Sequence, residues 1–452
     1  MDRRSFIKAA ALGTGALATG GLFNSASAAS GSSVASGSSV ASAIQKAGKK
    51  KAAPVPFPKV GKAFSITNAP FEHLLANYFG INPWSSDNRY IAVLETDIKG
   101  RLPEADEAAL VYLIDRGDHH RMIKIGKTYC WNFQEACMFH WLPWEDGACV
   151  WNDRRDGKFV AVVSNWKTKS ERIIPRPISA VSEDGEWAVS INYARLRLTR
   201  PDYGYAGNGQ DPLRDVAWPD NDGLWLVNLR TGEEKLILSV KQAQSLMTKI
   251  DSPDGLAYFC HTVISKDGSK IFFLARTVEN FQKQLDARGH IYQWRTTSFT
   301  CNIDGSNLRR CFPDGWEGSH FNWKDGNTLA VTAKWDAGKA WSHTMFTVGE
   351  EDKVKHLAPG VMDWDGHCVF SPDGNFLSSD GYWDSNSNRH WVLLRLEDEE
   401  VMPIGEFHVP DDYKETYTRC DLHARWRPDG KQLAFNSVHD GSRQVYLRNV
   451  EW

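Results

Sequence analysis

Short apolar runs alternate with tight polar turns along most of this chain, and one turn phrase recurs. An apolar residue is followed by serine or its equivalent, a variable residue, aspartate and glycine, and a second apolar run comes next. Serine and aspartate bond to the local backbone in such a phrase and glycine takes a positive φ, so each copy predicts a β-hairpin. The copies lie at 84–88, 141–147, 181–185, 264–268, 323–326, 370–374 and 426–430.

Each copy is followed by a second pair of strand-like runs with its own turn, as at 223–232 and 300–305. Four short strands in each of about seven units predict an all-β fold, a seven-bladed β-propeller. The last unit, 421–452, is one strand short, and we expect the stretch 62–68 to supply it and close the ring. Only 240–249 has the pattern of a short helix.

The N-terminus has the pattern of an export signal. The basic start with Arg3 and Arg4 resembles the twin-arginine signature, and a weakly apolar stretch follows that is too short for a membrane span. An Ala-x-Ala cleavage site ends at Ala28. We therefore expect a periplasmic or secreted protein without a membrane anchor. The predicted parts are a twin-arginine signal peptide (1–28), a flexible linker rich in Ser, Ala, Gly and Lys (29–58) and the propeller (59–452).

Composition adds four restrictions. The chain has 452 residues, 42% of them hydrophobic, which is enough for a large core. A net charge of −3 does not favour nucleic acid or an anionic membrane as a partner. The 19 tryptophans indicate core packing first and sugar stacking second. The eight cysteines form no CxxC pair and lie mostly in apolar runs, so we expect free buried thiols.

The repeat places four histidines at one equivalent position. His261, His320, His367 and His423 each stand three residues before the apolar residue that opens a turn. Equivalent positions of different blades share one ring around the axis, so we expect these imidazoles to converge, with Cys368 as a fifth candidate ligand. Histidine with cysteine favours Zn²⁺, and histidine with oxygen ligands also suits Mn²⁺. For each histidine the alternative is a structural hydrogen bond.

A second group of candidates follows the third turn. Arg195 can bind a sugar carboxylate through two parallel hydrogen bonds, and Tyr203 and Tyr205 in the loop 200–207 can stack on a ring or move a proton. The alternative is a solvated arginine beside packing tyrosines. The sequence has no nucleophile elbow, P-loop or dinucleotide fingerprint. It also leaves no room for an α/β-hydrolase domain after the propeller, which argues against a prolyl-oligopeptidase type of enzyme.

Several segments resemble the propeller polysaccharide lyases, namely the oligogalacturonate lyases and the ulvan-lyase-like proteins. The resemblance implies a seven-bladed propeller that cleaves uronic-acid glycans by β-elimination, with a uronate-containing oligosaccharide or polysaccharide as partner. In that reaction the uronate carboxylate is neutralised, a base removes the C5 proton and the 4-linked sugar leaves. The resembling stretches span nearly the whole mature chain: 77–84, 191–207, 319–323, 366–368 and 421–426.

The resemblance also implies roles for single residues. Arg195 would neutralise or hold the uronate carboxylate. His320 and His423 above all would hold a divalent metal, which is manganese in oligogalacturonate lyases and a structural zinc in ulvan lyases. Two positions depart from the pattern. Arg425 stands where the oligogalacturonate type has the second histidine of His-x-His, and Ser179 stands where the ulvan type has a catalytic tyrosine.

The general base stays open among His140, Tyr203 and Tyr205. Within 134–140, we expect only His140 to titrate near neutral pH. Three functions are compatible with the chain: a lyase for uronate oligosaccharides, a non-catalytic propeller that binds a glycan or an envelope protein, and a propeller hydrolase. The hydrolase would need paired carboxylates facing the channel, and no such pair stands out in the sequence.

Overall fold

The computed structural model describes residues 53–452, except 208–210, 286–290, 292, 336–339 and 416. The predicted signal peptide (1–28) and the linker up to residue 52 lie outside the described residues. Close to the predicted start of the propeller, the first strand begins at Lys59. Just before it, Phe57 packs on Phe376 of the sixth blade, with ring centroids 5.5 Å apart.

Seven antiparallel sheets form a seven-bladed β-propeller, which confirms the predicted fold. Strands β1 (Lys59–Val60) and β2 (Phe64–Ser65) precede the first blade. The strands of blades one to three are β3 (Glu72–Leu75), β4 (Tyr90–Thr96), β5 (Ala109–Asp115), β6 (Arg121–Thr128), β7 (His140–Trp141), β8 (Ala148–Arg155), β9 (Lys158–Asn165), β10 (Ser170–Ile174), β11 (Ala180–Val181), β12 (Trp187–Ser190), β13 (Gly223–Asn228) and β14 (Glu234–Ser239).

The remaining blades follow the same order, in which each strand pairs with the next one along the chain. Their strands are β15 (Leu256–Ile264), β16 (Lys270–Val278), β17 (Arg295–Asn302), β18 (Arg309–Arg310), β19 (Glu317–Trp323), β20 (Thr328–Trp335), β21 (Ala340–Thr347), β22 (Lys355–Leu357), β23 (Cys368–Phe370), β24 (Phe376–Trp383), β25 (Asn388–Arg395), β26 (Val401–His408), β27 (Arg425–Trp426), β28 (Gln432–Ser437) and β29 (Gln444–Glu451).

Both ends of the described chain build the seventh blade. Strands β27, β28 and β29 pair in order, and β29 then pairs with β1 and with β2. Phe64 lies opposite Leu447 in this ladder, and Val60 lies opposite Val450. Because β2 falls within the stretch 62–68, the predicted closure is confirmed, and β1 extends it toward the N-terminus. The closed ring leaves each blade covered by two neighbours.

The recurring turn phrase has the predicted chemistry. In the first copy the Ser85 hydroxyl donates to Asp87 Oδ1 at 2.5 Å and accepts from Tyr90 N at 2.9 Å. The side chains thus tie the end of one strand to the start of the next. The same serine–aspartate bond recurs at 2.5–2.7 Å in three more blades, through Ser182–Asp184, Ser265–Asp267 and Ser371–Asp373.

Helices are short among the described residues. The predicted helix at 240–249 is an α-helix and a following 3₁₀ turn, and a capping box between Ser239 and Gln242 starts it. The expectation of a single helix is wrong, because Asn192 caps a second one by accepting from Arg195 N. The α-helices are α1 (Tyr193–Thr199), α2 (Val240–Ala243) and α3 (Phe281–Gln284), and the 3₁₀ turns are Gln244–Leu246, Glu351–Lys353 and Asp411–Tyr413.

Aromatic side chains fill the space between the blades. Trp84, Trp131, Trp151, Trp323 and Trp391 are completely buried, in agreement with the core role expected for tryptophan. All eight cysteines are buried free thiols, as expected from their apolar surroundings. In the part of the chain that the structure describes, no helix is long and apolar enough to cross a membrane.

Candidate active site

Three of the four predicted histidines meet at the propeller axis. His320 lies in β19, His367 directly precedes β23 and His423 lies two residues before β27. First strands of neighbouring blades contact one another and line the axis, which brings these equivalent positions together. The ring centroids of His320 and His367 are 4.0 Å apart, and those of His367 and His423 are 4.3 Å apart.

Aspartates fix two of the three rings. His320 Nδ1 lies 2.8 Å from Asp365 Oδ1, and His367 Nδ1 lies 2.7 Å from Asp380 Oδ1. Burial alone would raise the pKa of each aspartate, but its histidine and other donors outweigh burial and lower the pKa of both carboxyls. An ionised carboxylate accepts a hydrogen bond, so Nδ1 of each ring carries a hydrogen and Nε2 is the ring nitrogen left to face the axis.

The second ring nitrogens of His367 and His423 face each other, with their Nε2 atoms 3.1 Å apart. Two such nitrogens, each about 2.0–2.1 Å from a tetrahedral zinc ion, would be roughly 3.3 Å apart. Burial lowers the pKa of both imidazoles, and that of His423 strongly, so both are neutral, which is the ligating form. The donor set therefore fits a divalent metal.

Asp421 completes this group of ligand atoms. Those of His367, Asp421 and His423 all lie within 4.8 Å of one another, the one such group within the described residues. Asp421 also accepts a hydrogen bond from Arg389 and another from Arg419 Nε, the latter at 2.9 Å. Burial would raise the pKa of Asp421, but the two guanidinium groups hold it well below its usual range. The ionised oxygens of Asp421 thus accept hydrogen bonds from two arginines and also belong to the group of ligand atoms.

An aromatic pair packs against the three histidines. The Tyr78 ring centroid lies 5.1 Å from that of His423. The Phe79 ring lies 4.8 Å from His367 and 5.7 Å from His320. These mostly edge-on contacts cover the imidazoles on one side and contribute to their burial, which leaves the three side chains 2–5% exposed.

His261 lies apart from this group. It lies where the register between β15 and β16 shifts, its φ is +53°, and its ring packs on Tyr203 with centroids 4.6 Å apart. Its Nδ1 is buried without a hydrogen-bond partner. Burial first, then the charges of Arg276 and Arg200, lower the pKa of His261 well below its usual value, so the ring is neutral. The structure thus separates His261 from the other predicted metal ligands.

Cys368 and Arg425 contribute no ligand atom to the group of histidines. Cys368 Sγ is directed toward Ala330 O at 3.9 Å, inside an apolar cluster. Side chains of consecutive residues along a strand point to opposite faces. Cys368 therefore does not point to the same side as His367, and the prediction that it is a metal ligand is wrong. Arg425, in place of the second histidine of His-x-His, donates to the carbonyl oxygens of His423 and Asn77. It braces the backbone that carries His423, and burial lowers the pKa of Arg425 to about 9.

A cavity of about 930 Å³ opens beside the histidines, and His261 and His320 lie in its wall. Seven basic and three acidic side chains line it, together with six aromatic ones. A cavity with this excess of positive charge favours an anionic ligand, and the rings suit the faces of a sugar. The basic side chains are Arg200, Lys249, Arg276, Arg295, Lys334, Lys414 and Arg419.

Arg276, in the wall of this cavity, has one guanidinium nitrogen without a hydrogen-bond partner. It is 7% exposed, and its Nη1 is buried without a partner. Arg200 and Arg419, by contrast, are ion-paired with Asp202 and Asp421. Because buried polar groups are nearly always hydrogen-bonded, an unpaired guanidinium nitrogen at a cavity indicates a place for an anionic group.

Arg195, the arginine that the sequence predicts for this role, lies outside the cavity wall. Its Nη1 donates to Asp211 Oδ2 at 3.0 Å and to Leu213 O at 2.8 Å. Its Nε donates to Ala257 O at 2.7 Å, and its Nη2 donates to Val216 O at 2.7 Å. Every guanidinium nitrogen is therefore occupied by the protein, and Arg195 holds the segment before β13 against β15.

Replacing Arg195 by alanine should destabilise the fold without changing the binding site. It leaves Asp211 buried and unpaired, which should lower the free energy of unfolding by about 3–5 kcal/mol. Arg309→Ala is the control, because Arg309 is half exposed and its loss should change stability by about 0.5 kcal/mol or less. Urea unfolding measures both. Equal stability of the two variants would contradict the structural role of Arg195.

The three candidate bases occupy different environments. His140 is buried in β7 outside the cavity wall, and burial lowers its pKa to about 3, so the expectation that it titrates near neutral pH is wrong. Tyr205 also lies outside that wall, stacked on Tyr193 with centroids 4.4 Å apart, and its hydroxyl accepts from Asn152 Nδ2 at 2.9 Å. Tyr203 lines the cavity, and burial raises its pKa.

Sequence reasoning missed two charged residues of the site. Arg276 is the lone charged residue in the apolar segment 271–278, and this isolated charge is the feature by which the sequence could have identified it. Glu135 stands in the largely apolar segment 130–142 and is 3% exposed. Burial, and then the charge of Asp202, raise the pKa of Glu135 to about 8. Within 134–140 it is therefore Glu135, and not His140, whose pKa lies near neutrality.

The fold and the site together define a β-propeller with a basic central cavity beside a histidine cluster. No protein-family model and no curated protein match the sequence. Among solved structures, the chain is similar to an oligogalacturonate lyase from Vibrio parahaemolyticus, with 14% identity over 87% of this chain and 97% of that chain and a TM-score of 0.58.

A second similar structure is an oligogalacturonate lyase in complex with manganese. It shares 16% identity over 87% of this chain and 97% of that chain, with a TM-score of 0.59. Identities this low show a common fold. They confirm, at the level of fold, the resemblance to the propeller lyases.

Proposed function

We propose that the protein is a lyase that cleaves uronic-acid-containing oligosaccharides by β-elimination. The observation that carries the proposal is the basic cavity whose wall includes Arg276, with an unpartnered guanidinium nitrogen, and His261, a neutral imidazole. A uronate residue offers a carboxylate to the first group and, on the adjacent C5, a proton to the second. The two oligogalacturonate lyases of the same fold favour oligogalacturonate over an ulvan-like substrate.

Arg276 would bind the uronate carboxylate and acidify the C5 proton. A guanidinium forms two parallel charge-assisted hydrogen bonds with a carboxylate, which withdraws charge from it and favours the enolate-like transition state. Arg200 and Arg419 lie in the same wall and add positive potential, while their own aspartates hold them in place. In the buried cavity the three arginines thus stabilise the negative charge that develops on the carboxylate in the transition state, a role that water has in solution.

His261 would remove the C5 proton. The electron pair of the C5–H bond forms the C4–C5 double bond, the C4–O bond breaks, and the leaving oxygen takes a proton. Burial, and after it the charge of Arg276, lowers the pKa of His261. A carboxylate bound at Arg276 would offset the second of these causes and would so strengthen the base. The Tyr203 hydroxyl, beside His261 in the cavity wall, is our candidate donor to the leaving oxygen.

A divalent metal, zinc or manganese, would be held by His367, Asp421 and His423, whose ligand atoms lie within 4.8 Å of one another. His320, whose ring lies beside that of His367, is a further candidate ligand. When bound, the metal would supply a Lewis acid near the carboxylate or would link the last three blades as a structural ion. The set of imidazoles and one carboxylate without a thiolate suits either ion. The manganese of the second structural neighbour supports the choice of a divalent ion.

Metal binding should depend on the histidines and not on Cys368. We expect Zn²⁺ or Mn²⁺ to raise the free energy of unfolding by about 2.7 kcal/mol at a free metal concentration of about 100 times Kd. His423→Ala should abolish this gain, because it removes one of the two facing nitrogens. Cys368→Ala should keep it. Calorimetric titration and chemical unfolding measure both effects, and loss of binding in the cysteine variant would contradict the placement.

We further propose that the protein is exported to the periplasm. The support is the twin-arginine pattern at Arg3 and Arg4, which lies outside the described residues. Replacing both residues by lysine keeps the charge and should retain the protein in the cytoplasm. Cell fractionation followed by immunoblotting tests this, and export of the lysine variant would speak against the twin-arginine route.

A non-catalytic propeller that binds a uronate glycan is the second candidate. The burial of Arg195, which the resemblance had given a role at the carboxylate, favours it. Such a protein would need the basic cavity but no base. Binding without turnover would therefore distinguish it from a lyase.

The test of the proposed function is incubation with oligogalacturonate, ulvan oligosaccharide and glucuronan in the presence of Mn²⁺ or Zn²⁺. A lyase yields 4,5-unsaturated uronates, which absorb in the ultraviolet. We expect this absorbance to grow with at least one of the three substrates. No increase with any of them would refute the lyase, and calorimetric binding of the intact substrate would then support the binding protein.

A further inference from the structure

A second, small cavity lies behind His261. It measures about 30 Å³, and its wall includes His261, Glu135, Ser179 and Thr262. A cavity needs roughly 10–15 Å³ of such space to hold a water molecule, and a buried water needs two to four polar partners. The cavity therefore has room for a water, and its wall offers polar groups on several sides.

Two buried polar atoms of this wall have no partner. They are His261 Nδ1 and Glu135 Oε2, on side chains that are 6% and 3% exposed. The hydroxyl of Thr262 donates to that of Ser179 at 2.8 Å, so this pair is already satisfied. Unpartnered buried atoms are rare, and two of them beside one water-sized cavity indicate a bridging molecule.

We propose that a buried water joins His261 Nδ1 to Glu135 Oε2, which makes Glu135 a positioning residue of the candidate base. In this arrangement Nδ1 carries the hydrogen and donates to the water, and the water donates to the carboxyl oxygen. His261 then presents the lone pair of Nε2 to the large cavity, which the same ring lines. The kinetic part of this inference rests on the proposed lyase function.

The local backbone holds Glu135 rigidly for this role. Asn132 Oδ1 accepts from the backbone nitrogens of Gln134 and Glu135, at 2.9 and 2.6 Å, and Asn132 Nδ2 donates to Tyr203 O at 2.9 Å. The same loop therefore fixes both Glu135 and the tyrosine that stacks on His261. Burial raises the pKa of Glu135 to about 8, so at neutral pH its carboxyl can remain largely uncharged in this place.

The experiment compares Glu135→Met with Glu135→Gln. Glutamine keeps an oxygen that can accept from the water, whereas methionine fills a similar volume without one. Nitrogen NMR of histidine-labelled protein reports the tautomer of His261, whose signal is assigned by its loss in His261→Gln. We expect the Nδ1–H tautomer in the wild type and in Glu135→Gln, and a shift toward the Nε2–H tautomer in Glu135→Met.

Kinetics provide the second readout. Glu135→Met should lower kcat by about 10- to 100-fold with KM nearly unchanged, and Glu135→Gln should restore most of it, because a wrong tautomer removes the base and leaves binding intact. An unchanged tautomer in Glu135→Met would overturn the inference, and so would equal losses in both variants. If the protein is not a lyase, the tautomer of His261 still tests the bridging water. Failure of the proposed function can therefore be distinguished from failure of this inference.

Discussion

Arg276→Met is expected to remove most of the turnover of uronate oligosaccharides while the protein stays folded. Truncating one partner of a buried charge pair with a ligand costs about 2–4 kcal/mol. At about 1.4 kcal/mol per tenfold, kcat/KM should fall by about 30- to 700-fold. The fold should tolerate the change, because Nη1 of Arg276 bonds to no protein group and methionine is apolar and of similar length.

Two further variants make the Arg276 result specific. Arg276→Lys should recover only part of the loss, since an ammonium gives the charge but not the two-point geometry. Arg295→Met removes a mostly exposed arginine from the rim of the same cavity and should change kcat/KM by about threefold or less. Equal effects at both arginines would mean that only the overall charge matters, which would contradict a specific carboxylate site.

Replacing His261 should lower kcat by about 10²- to 10⁴-fold, the range that general bases contribute. His261→Gly is the best variant for this test, because the residue has a φ of +53°, which glycine adopts without strain. We expect KM to change little and added imidazole to restore part of kcat. The titration of Zn²⁺ or Mn²⁺ should stay the same as in the wild type, since His261 lies outside the group of ligand atoms.

Tyr203→Phe separates the proposed proton donor from the proposed base. Its ring would still stack on His261, and only the hydroxyl that lies 3.4 Å from Arg419 Nη2 is lost. If His261 is the base and Tyr203 the donor to the leaving oxygen, both variants should lose activity, and added imidazole should restore part of it only in His261→Gly. A Tyr203→Phe variant as inactive as His261→Gly, together with no rescue by imidazole, would reassign proton removal to the tyrosine.

The sequence allowed the architecture to be predicted because the propeller repeats its local chemistry. Ser85 and Asp87 illustrate this, since their hydrogen bond is local and can be inferred from the residue types. The same repeat predicted the meeting of His320, His367 and His423, because equivalent positions share one ring. The closure by 62–68 followed from the missing strand of the last unit.

The side chains of the cavity could not be predicted in this way. Arg195 and Arg276 are both arginines in apolar surroundings, and only the fold shows that Asp211 and backbone carbonyls occupy the first while the second has a free nitrogen. Cys368 neighbours His367 in sequence but faces the apolar side of its strand. Glu135 and His261 are far apart in sequence but line the same small cavity, and such a meeting leaves no periodic signal in the chain.

The central claim, that the cavity performs β-elimination, is tested most directly by the masses of the products. An oligogalacturonate trisaccharide is incubated with the metal-loaded protein, and the products are examined by mass spectrometry. Elimination predicts a 4,5-unsaturated uronide, which is lighter than its saturated counterpart by one water molecule, together with a saturated fragment. Saturated products alone would show hydrolysis, and bound but intact trisaccharide would show a binding protein; either result would contradict the account.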